Sequence, residues 1–343
     1  MARRKFSDYD ESDVRVRPGR GSRPRTKDRP SYEDALTGMV VTKDRGRWGV
    51  MMDNGTLVNC MRARHLKRTS IEVGDRVSVV GDTSGRKDTL ARIVHRADRI
   101  SVLRRTADDT DPFERVVVAN AELLLIVVAA ADPPPRTGLV ERALIAAFVG
   151  GVRPIVCMTK TDLARPDEFI AEIEDLNVEV LTVGIDDPLD QLTQRLNDHV
   201  SACIGHSGVG KSTLVNRLVP DAQRETGDVS GVGKGRHTST QSVALELPDG
   251  GWIIDTPGIR SFGLAHVSPD QVIDVFPELA EAAQNCPRGC THAGPPTDPE
   301  CAWDTLENMS SGALSRRVAA VRRLLSALRS NNEWELKQLD EER

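Results

Sequence analysis

Aromatic residues are scarce: six Phe, four Trp and two Tyr make up 3% of the 343 residues. So few rings argue against a fold held by stacked aromatics and against a surface that reads single-stranded nucleic acid by base stacking. Long hydrophobic runs are missing as well. The longest, Leu123 to Ala131, has nine residues, whereas a membrane-spanning helix needs about 20. No apolar signal-peptide core follows the basic N-terminus, so the chain reads as cytoplasmic and without a membrane partner. Cysteine is sparse and uneven. Cys60, Cys157 and Cys203 are scattered, while Cys286, Cys290 and Cys301 fall within sixteen residues. That distribution excludes a disulfide framework and suits a metal site in a reducing compartment.

What is present is ordinary for a soluble protein: 39% hydrophobic and 28% charged residues, with a net charge of −5. The length predicts more than one domain. Ten Lys or Arg against five acids in the first thirty residues make residues 1–34 a basic tail, disordered when free and suited to nucleic acid. Residues 35–110 alternate short apolar strands with turns, from Gly38–Val41 through Trp48–Met52, Leu57–Cys60 and Gly74–Val80 to Thr89–Ile93. The Asn54-Gly55 turn is a hairpin signal. About five such strands predict a small barrel, with the oligonucleotide-binding fold as first choice. Arg62, Arg64, Lys67, Arg68, Arg76, Arg86, Lys87 and Arg92 give it a surface suited to RNA phosphates.

From residue 111 to 275 the pattern becomes strand, helix, strand, with continuous apolar strands that predict a parallel sheet covered on both faces. Within it, strand Val200–Ile204 runs into Gly205-His206-Ser207-Gly208-Val209-Gly210-Lys211-Ser212, and a helix begins at Thr213. This is the context a P-loop requires. Backbone N–H groups face the phosphates, Lys211 reaches the β and γ phosphates, and the Ser212 hydroxyl serves Mg2+. Asp255 and Gly258 of Asp255-Thr256-Pro257-Gly258 end a second apolar strand, where the carboxylate can hold magnesium and the Gly258 N–H can meet the γ phosphate. Thr238 and Ser239, in a glycine-rich switch segment, are alternative magnesium ligands. Thr159-Lys160-Thr161-Asp162 closes the strand Pro154–Met158, and Asp162 can accept from the two donors of a guanine edge, so it favours GTP. Ile259 stands where many GTPases carry a glutamine to orient water, which leaves His237 as the candidate catalytic residue.

Residues 276–343 hold Cys286, Cys290, His292 and Cys301, three thiols and one imidazole that form a closed set for one structural zinc. A helix follows, with Leu314, Val318, Val321, Leu325 and Leu328 on one face and Arg316 and Arg323 opposite. Its apolar side is expected to pack within the C-terminal domain, leaving the arginines for RNA or solvent.

The base-reading Lys-x-Asp precedes the phosphate loop, the reverse of the usual order. With a barrel before it and a Cys/His cluster after it, this arrangement resembles the RsgA (YjeQ) family over roughly residues 35–330. The resemblance implies a multidomain chain with an N-terminal OB-fold barrel, a circularly permuted P-loop GTPase core and a C-terminal zinc-binding α-helical subdomain. It further implies a monomer that binds the small ribosomal subunit and its rRNA, acts in late maturation, and turns GTP into GDP with ribosome-stimulated hydrolysis involving His237. A placeholder in which hydrolysis is incidental and a large-subunit assembly GTPase are the alternatives. Two departures stand out. The family carries Asn where Thr159 stands, which predicts weaker guanine binding, and the Ser-Ala signature of the last base-side loop is missing near Val183-Gly184-Ile185.

Overall fold

The computed structural model describes residues 32–67, 69–106, 113–176, 178–220, 242–257, 263–309 and 312–329. Five strands, β1 (Leu36–Asp44), β2 (Arg47–Met52), β3 (Leu57–Arg62), β4 (Arg76–Val80) and β5 (Ala91–Arg96), close on themselves in the order β1-β2-β3-β5-β4-β1. All neighbours are antiparallel except β3 and β5, the order of an OB-fold barrel. Inward alternation puts Val40, Val50, Val58, Val79 and Ile93 in a sealed core. The Trp48 indole N–H donates to the Ile71 carbonyl at 3.1 Å, and the Asn54-Gly55 turn uses Gly55 at φ +81°. On the outside Arg64, Lys67, Arg86, Lys87 and Arg92 are exposed. Arg76 is paired with Asp53, and Arg62 donates to the Thr69 carbonyl; Arg68 lies outside the described residues.

A hairpin that sequence reading missed, β6 (Val102–Arg105) with β7 (Arg115–Ala119), follows the barrel. Five parallel strands then form the centre of the molecule: β8 (Leu123–Ala129), β9 (Arg153–Thr159), β10 (Glu179–Val183), β11 (Val200–Gly205) and β13 (Trp252–Asp255). The antiparallel β12 (Val243–Glu246) borders β13. Helices α1 (Thr137–Val149), α2 (Asp167–Ile173), α3 (Asp190–Leu196) and α4 (Lys211–Leu218) connect them. Every residue of β8 is buried, because the two faces of the sheet are covered by different layers. Leu124, Ile126 and Val128 meet α1 and the C-terminal helices, while Leu123, Leu125 and Val127 meet α3 and α4. One further pairing, Thr42 with Val243, joins β12 to barrel strand β1 and makes a single eleven-stranded sheet.

The C-terminal helices are α5 (Pro269–Ile273), α6 (Pro277–Ala283), α7 (Ala302–Met309) and α8 (Ala313–Arg329). Ser268 caps α5 in a capping box with Gln271. The expectation for α8 needs correction. Val318, Val321 and Leu325 are buried in the same core as β8 and α1, so the helix packs on the central domain as well as on its own subdomain. At the surface, Arg316 pairs with Asp175, and Arg323 donates to the Glu172 carbonyl. The acid Asp175, in the 3-10 turn behind α2, and the α2 backbone lie against this flank, while both side chains stay exposed to solvent.

Candidate functional site

Strand β11 delivers the chain to Gly205 at the centre of the sheet, where a Cβ would lie 2.8 Å from the Val127 carbonyl oxygen. Gly208 and Gly210 take φ of +84° and +90°, turning the loop so that α4 can begin at Lys211. Lys211 is buried, and its ammonium donates to the Asp255 carboxylate and, at 2.5 Å, to the Thr256 carbonyl. The Thr256 hydroxyl donates back to Cys203 of β11 at 2.8 Å, which fixes the end of β13 beside the loop. Ser212 and Thr213 are exposed in the first turn of α4. The ammonium and the carboxylate therefore meet at the helix N-terminus, where Ser212 is the next residue, a setting for a metal-bound polyphosphate. Carboxylate and hydroxyl oxygens are the hard ligands magnesium takes. Cys157 and Cys203 lie in the sheet behind, and burial pushes the Cys157 thiol up to about 12 and raises Cys203 too. Both are inert packing residues.

The second half of the site comes from β9. Thr159 is buried, with its hydroxyl 2.5 Å from the Val209 carbonyl of the phosphate loop and 3.3 Å from Val128 of β8. It points at the loop, where it braces β9 against the phosphate side. Lys160, with φ +55°, donates to the Asp132 carbonyl. Asp162 is exposed in a cleft of about 200 Å3 whose other walls include Thr213 and Arg217 of α4 and the turn Val183-Gly184-Ile185. The structure thus brings Thr159, Lys160, Asp162 and the loop 205–213 together. His237, Thr238, Ser239 and Gly258 lie outside the described residues. Asp132, Asp187 and Arg217 were not foreseen. Arg217 donates to carbonyls some thirty residues away, the Asp187 carboxylate closes a turn on Gly184, and Asp132 offers its backbone carbonyl to Lys160, none of which a motif marks.

A separate cluster forms on the far helical layer. His292 Nδ1 lies 3.5 Å from the Cys286 Sγ, 3.7 Å from Cys290 and 3.8 Å from Cys301, and all four ligand atoms fall within 4.8 Å of one another. A tetrahedral zinc with bonds of about 2.3 Å to sulfur and about 2.0 Å to nitrogen needs S to N edges of about 3.5 Å. The residues fit, and the set is consistent with one structural zinc. Burial pushes the Cys290 thiol up to about 12, so thiolates form there with the charge of the cation at hand. The surroundings orient the donors. Trp303 stacks on His292 at 4.5 Å, the Asp298 carboxylate accepts from Thr291 and Ala293, and Arg322 donates to the His292 carbonyl at 3.1 Å.

Comparison with known proteins agrees with this geometry. The pattern of the RsgA GTPase family matches residues 96–265. The small ribosomal subunit biogenesis GTPase RsgA of Bacteroides fragilis is 31% identical over 78% of this chain and 89% of its own length, and that of Chlorobaculum tepidum is 30% identical over 83% and 95%. For the Pseudomonas putida protein of the same name the identity is 37%, and the chain spans 63% of that relative. Among solved structures, YjeQ from Thermotoga maritima superposes with a TM-score of 0.63 at 23% identity, covering 86% of this chain and 99% of its own. YloQ, described as a circularly permuted GTPase, gives 0.60 at 21% identity over 88% and 97%. These two likenesses speak for the fold.

Proposed function

Because the chain belongs to the RsgA family of GTPases, we propose that it is a GTP hydrolase that binds the small ribosomal subunit and acts late in its maturation. The observation that carries the reading is the convergence of Lys211 and Asp255 at the head of α4, with Asp162 in the cleft on the other flank of the same helix. Phosphates and base are thereby read by two arms of one site. Lys211 is held ready to neutralise the β and γ phosphates, and the N–H groups of the loop and first turn of α4 supply the remaining donors. Asp162 accepts from the guanine N1 and N2 groups, and the stem of Lys160 covers the ring. Bound magnesium supplies charge neutralisation across the phosphates, and Ser212 and Asp255 are the residues that would hold it, with Thr238 or Ser239 joining from the switch.

Ile259 cannot orient water, so basal hydrolysis is slow by this reading. His237 is assigned the role of orienting or deprotonating the attacking water once the small subunit has docked. The exposed basic side of the barrel and the N-terminal tail supply rRNA contacts. The protein works as a cytoplasmic monomer, and among the described residues no helix is long and apolar enough to cross a membrane. GTP turnover measured alone, with small subunits and with large subunits tests the reading. Stimulation by small subunits only is expected, with His237→Ala losing the stimulated rate while still binding GTP. No stimulation would leave a nucleotide-gated RNA-binding protein, and stimulation by large subunits would move the partner.

A further inference from the structure

The Ser-Ala signature of the last base-side loop is missing, yet a built loop stands at that place, on the wall of the cleft that holds Asp162. Val183 ends β10 beside Thr159 of β9, and the next four residues fold back on themselves. The Asp187 carboxylate accepts from the Gly184 N–H at 2.6 Å, and the Asp187 N–H reaches the Gly184 carbonyl at 3.4 Å. A Cβ on residue 184 would lie 2.9 Å from that carboxylate oxygen, so a larger residue there would push the Asp187 side chain off the Gly184 N–H. Arg217, in the last turn of α4, closes the structure from outside. One guanidinium nitrogen donates to the Gly184 carbonyl at 3.0 Å and the other to the Asp187 carbonyl. With both carbonyls and the Gly184 amide committed, the N–H groups of Ile185 and Asp186 donate to no acceptor among the described residues.

We infer that Arg217 and Asp187 are specificity-determining positioning residues, which hold the 184–187 turn so that its free amides meet the 6-oxo group of the purine while Asp162 reads the opposite donors. The inference rests on the proposed GTP reading. Its chemistry divides the purine edge into two parts. Asp162 needs N1–H and the 2-amino group, whereas the turn needs an acceptor at position 6 and is indifferent to position 2. Guanine satisfies both, hypoxanthine keeps the 6-oxo group without the 2-amino group, and adenine presents an amino donor that the amides cannot accept. Because Arg217 shares α4 with Lys211, one rigid helix sets the spacing between the phosphate and base arms.

Dissociation constants for GDP, IDP and ADP should be measured on the full chain and on Arg217→Met, Arg217→Lys and Asp187→Ala. Losing two charge-assisted donors to backbone carbonyls is expected to weaken GDP and IDP alike by about tenfold. ADP stays unchanged and the GDP to IDP ratio is preserved, with Arg217→Lys intermediate. Asp187 is exposed, so its truncation keeps the test in hand if Arg217→Met fails to fold. Unchanged constants, or equal losses for all three nucleotides, would overturn the assignment. Equal binding of GDP and ADP by the unaltered chain would overturn the GTP reading itself, and the inference with it.

Discussion

Thr159 shows how much one buried hydroxyl can decide. The substitution of a threonine for the family's asparagine predicts weaker base binding, but the hydroxyl is given to the Val209 carbonyl at 2.5 Å and so acts on the phosphate loop. Thr159→Val keeps the shape and leaves that carbonyl unsatisfied, which costs about 1–3 kcal/mol. Release of fluorescent GDP should therefore quicken about tenfold or more, with the preference for guanine over adenine intact; a changed preference would return Thr159 to the base. Lys211, Asp162 and the Cys/His ligands were legible in sequence because their chemistry needs fixed local spacing. Arg217 was not, because a side chain bonding distant backbone carbonyls leaves no mark on its neighbours, and neither were Asp187, which closes a local turn, and Asp132, which acts through its backbone.

At the scale of elements, the zinc cluster and α8 behave as one piece. Arg322 of α8 contacts the His292 carbonyl and pairs with Asp304 and Glu307 of α7, while α8 buries its apolar stripe against α1. Cys301→Ser should reduce bound zinc from about one per chain to a small fraction, since closed structural sites depend on all four ligands. Loss of metal should raise hydrogen exchange in α7 and α8 before it does in the sheet; uniform exchange across the chain would separate the cluster from these helices. A second tie is Glu278 of α6, paired with Arg317 of α8 at 2.5 Å. Burial raises this carboxyl, but the Arg317 bond and charge outweigh it, and its pKa ends below the usual 4.5. A depressed carboxylate stabilises the fold above its unfolded value and loses that contribution as pH falls through the folded one. Glu278→Gln should thus lower the melting temperature at pH 7 and make progressively less difference as pH falls below the usual carboxyl value of 4.5; an effect that does not shrink with falling pH would exclude the ion pair as the cause. The basic stripe of α8 was legible as a stripe, but its acidic partners on the α2 flank were not.

Across the whole molecule, the barrel and the nucleotide-binding sheet are joined at a narrow seam. Besides the Thr42 to Val243 pairing, Val73 accepts from Ala119 at 3.1 Å and Gly74 accepts from the Asn120 side chain at 3.0 Å, while within the barrel the Gly74 N–H donates to Val40 of β1 at 2.8 Å. Asp75, fully buried, is held by Arg99 through two bonds of 2.7 and 2.8 Å. Gly74 has φ +91°, and a Cβ there would fall 1.9 Å from the Ala119 carbonyl oxygen. Gly74→Ala should cost about 2–4 kcal/mol through backbone strain and the clash. Calorimetry should show a lower midpoint, with the barrel melting apart from the central sheet; an unchanged, single transition would mean the seam carries no coupling.

The sequence by itself determined the elements and the local groupings: the alternating strands of the barrel, the buried parallel strands, the glycine-rich loop ahead of α4 and the clustering of Cys286, Cys290, His292 and Cys301. These depend on periodicity and short spacing, which a linear chain records. Only the tertiary structure decided that Thr159 braces the loop before α4, that Arg217 and Asp187 shape the turn after β10, that Arg316 and Arg323 of α8 lie against the α2 flank, and that barrel and core share one sheet. Such contacts arise where strands and helices distant in sequence are brought within about 3 Å, the range in which hydrogen bonds act.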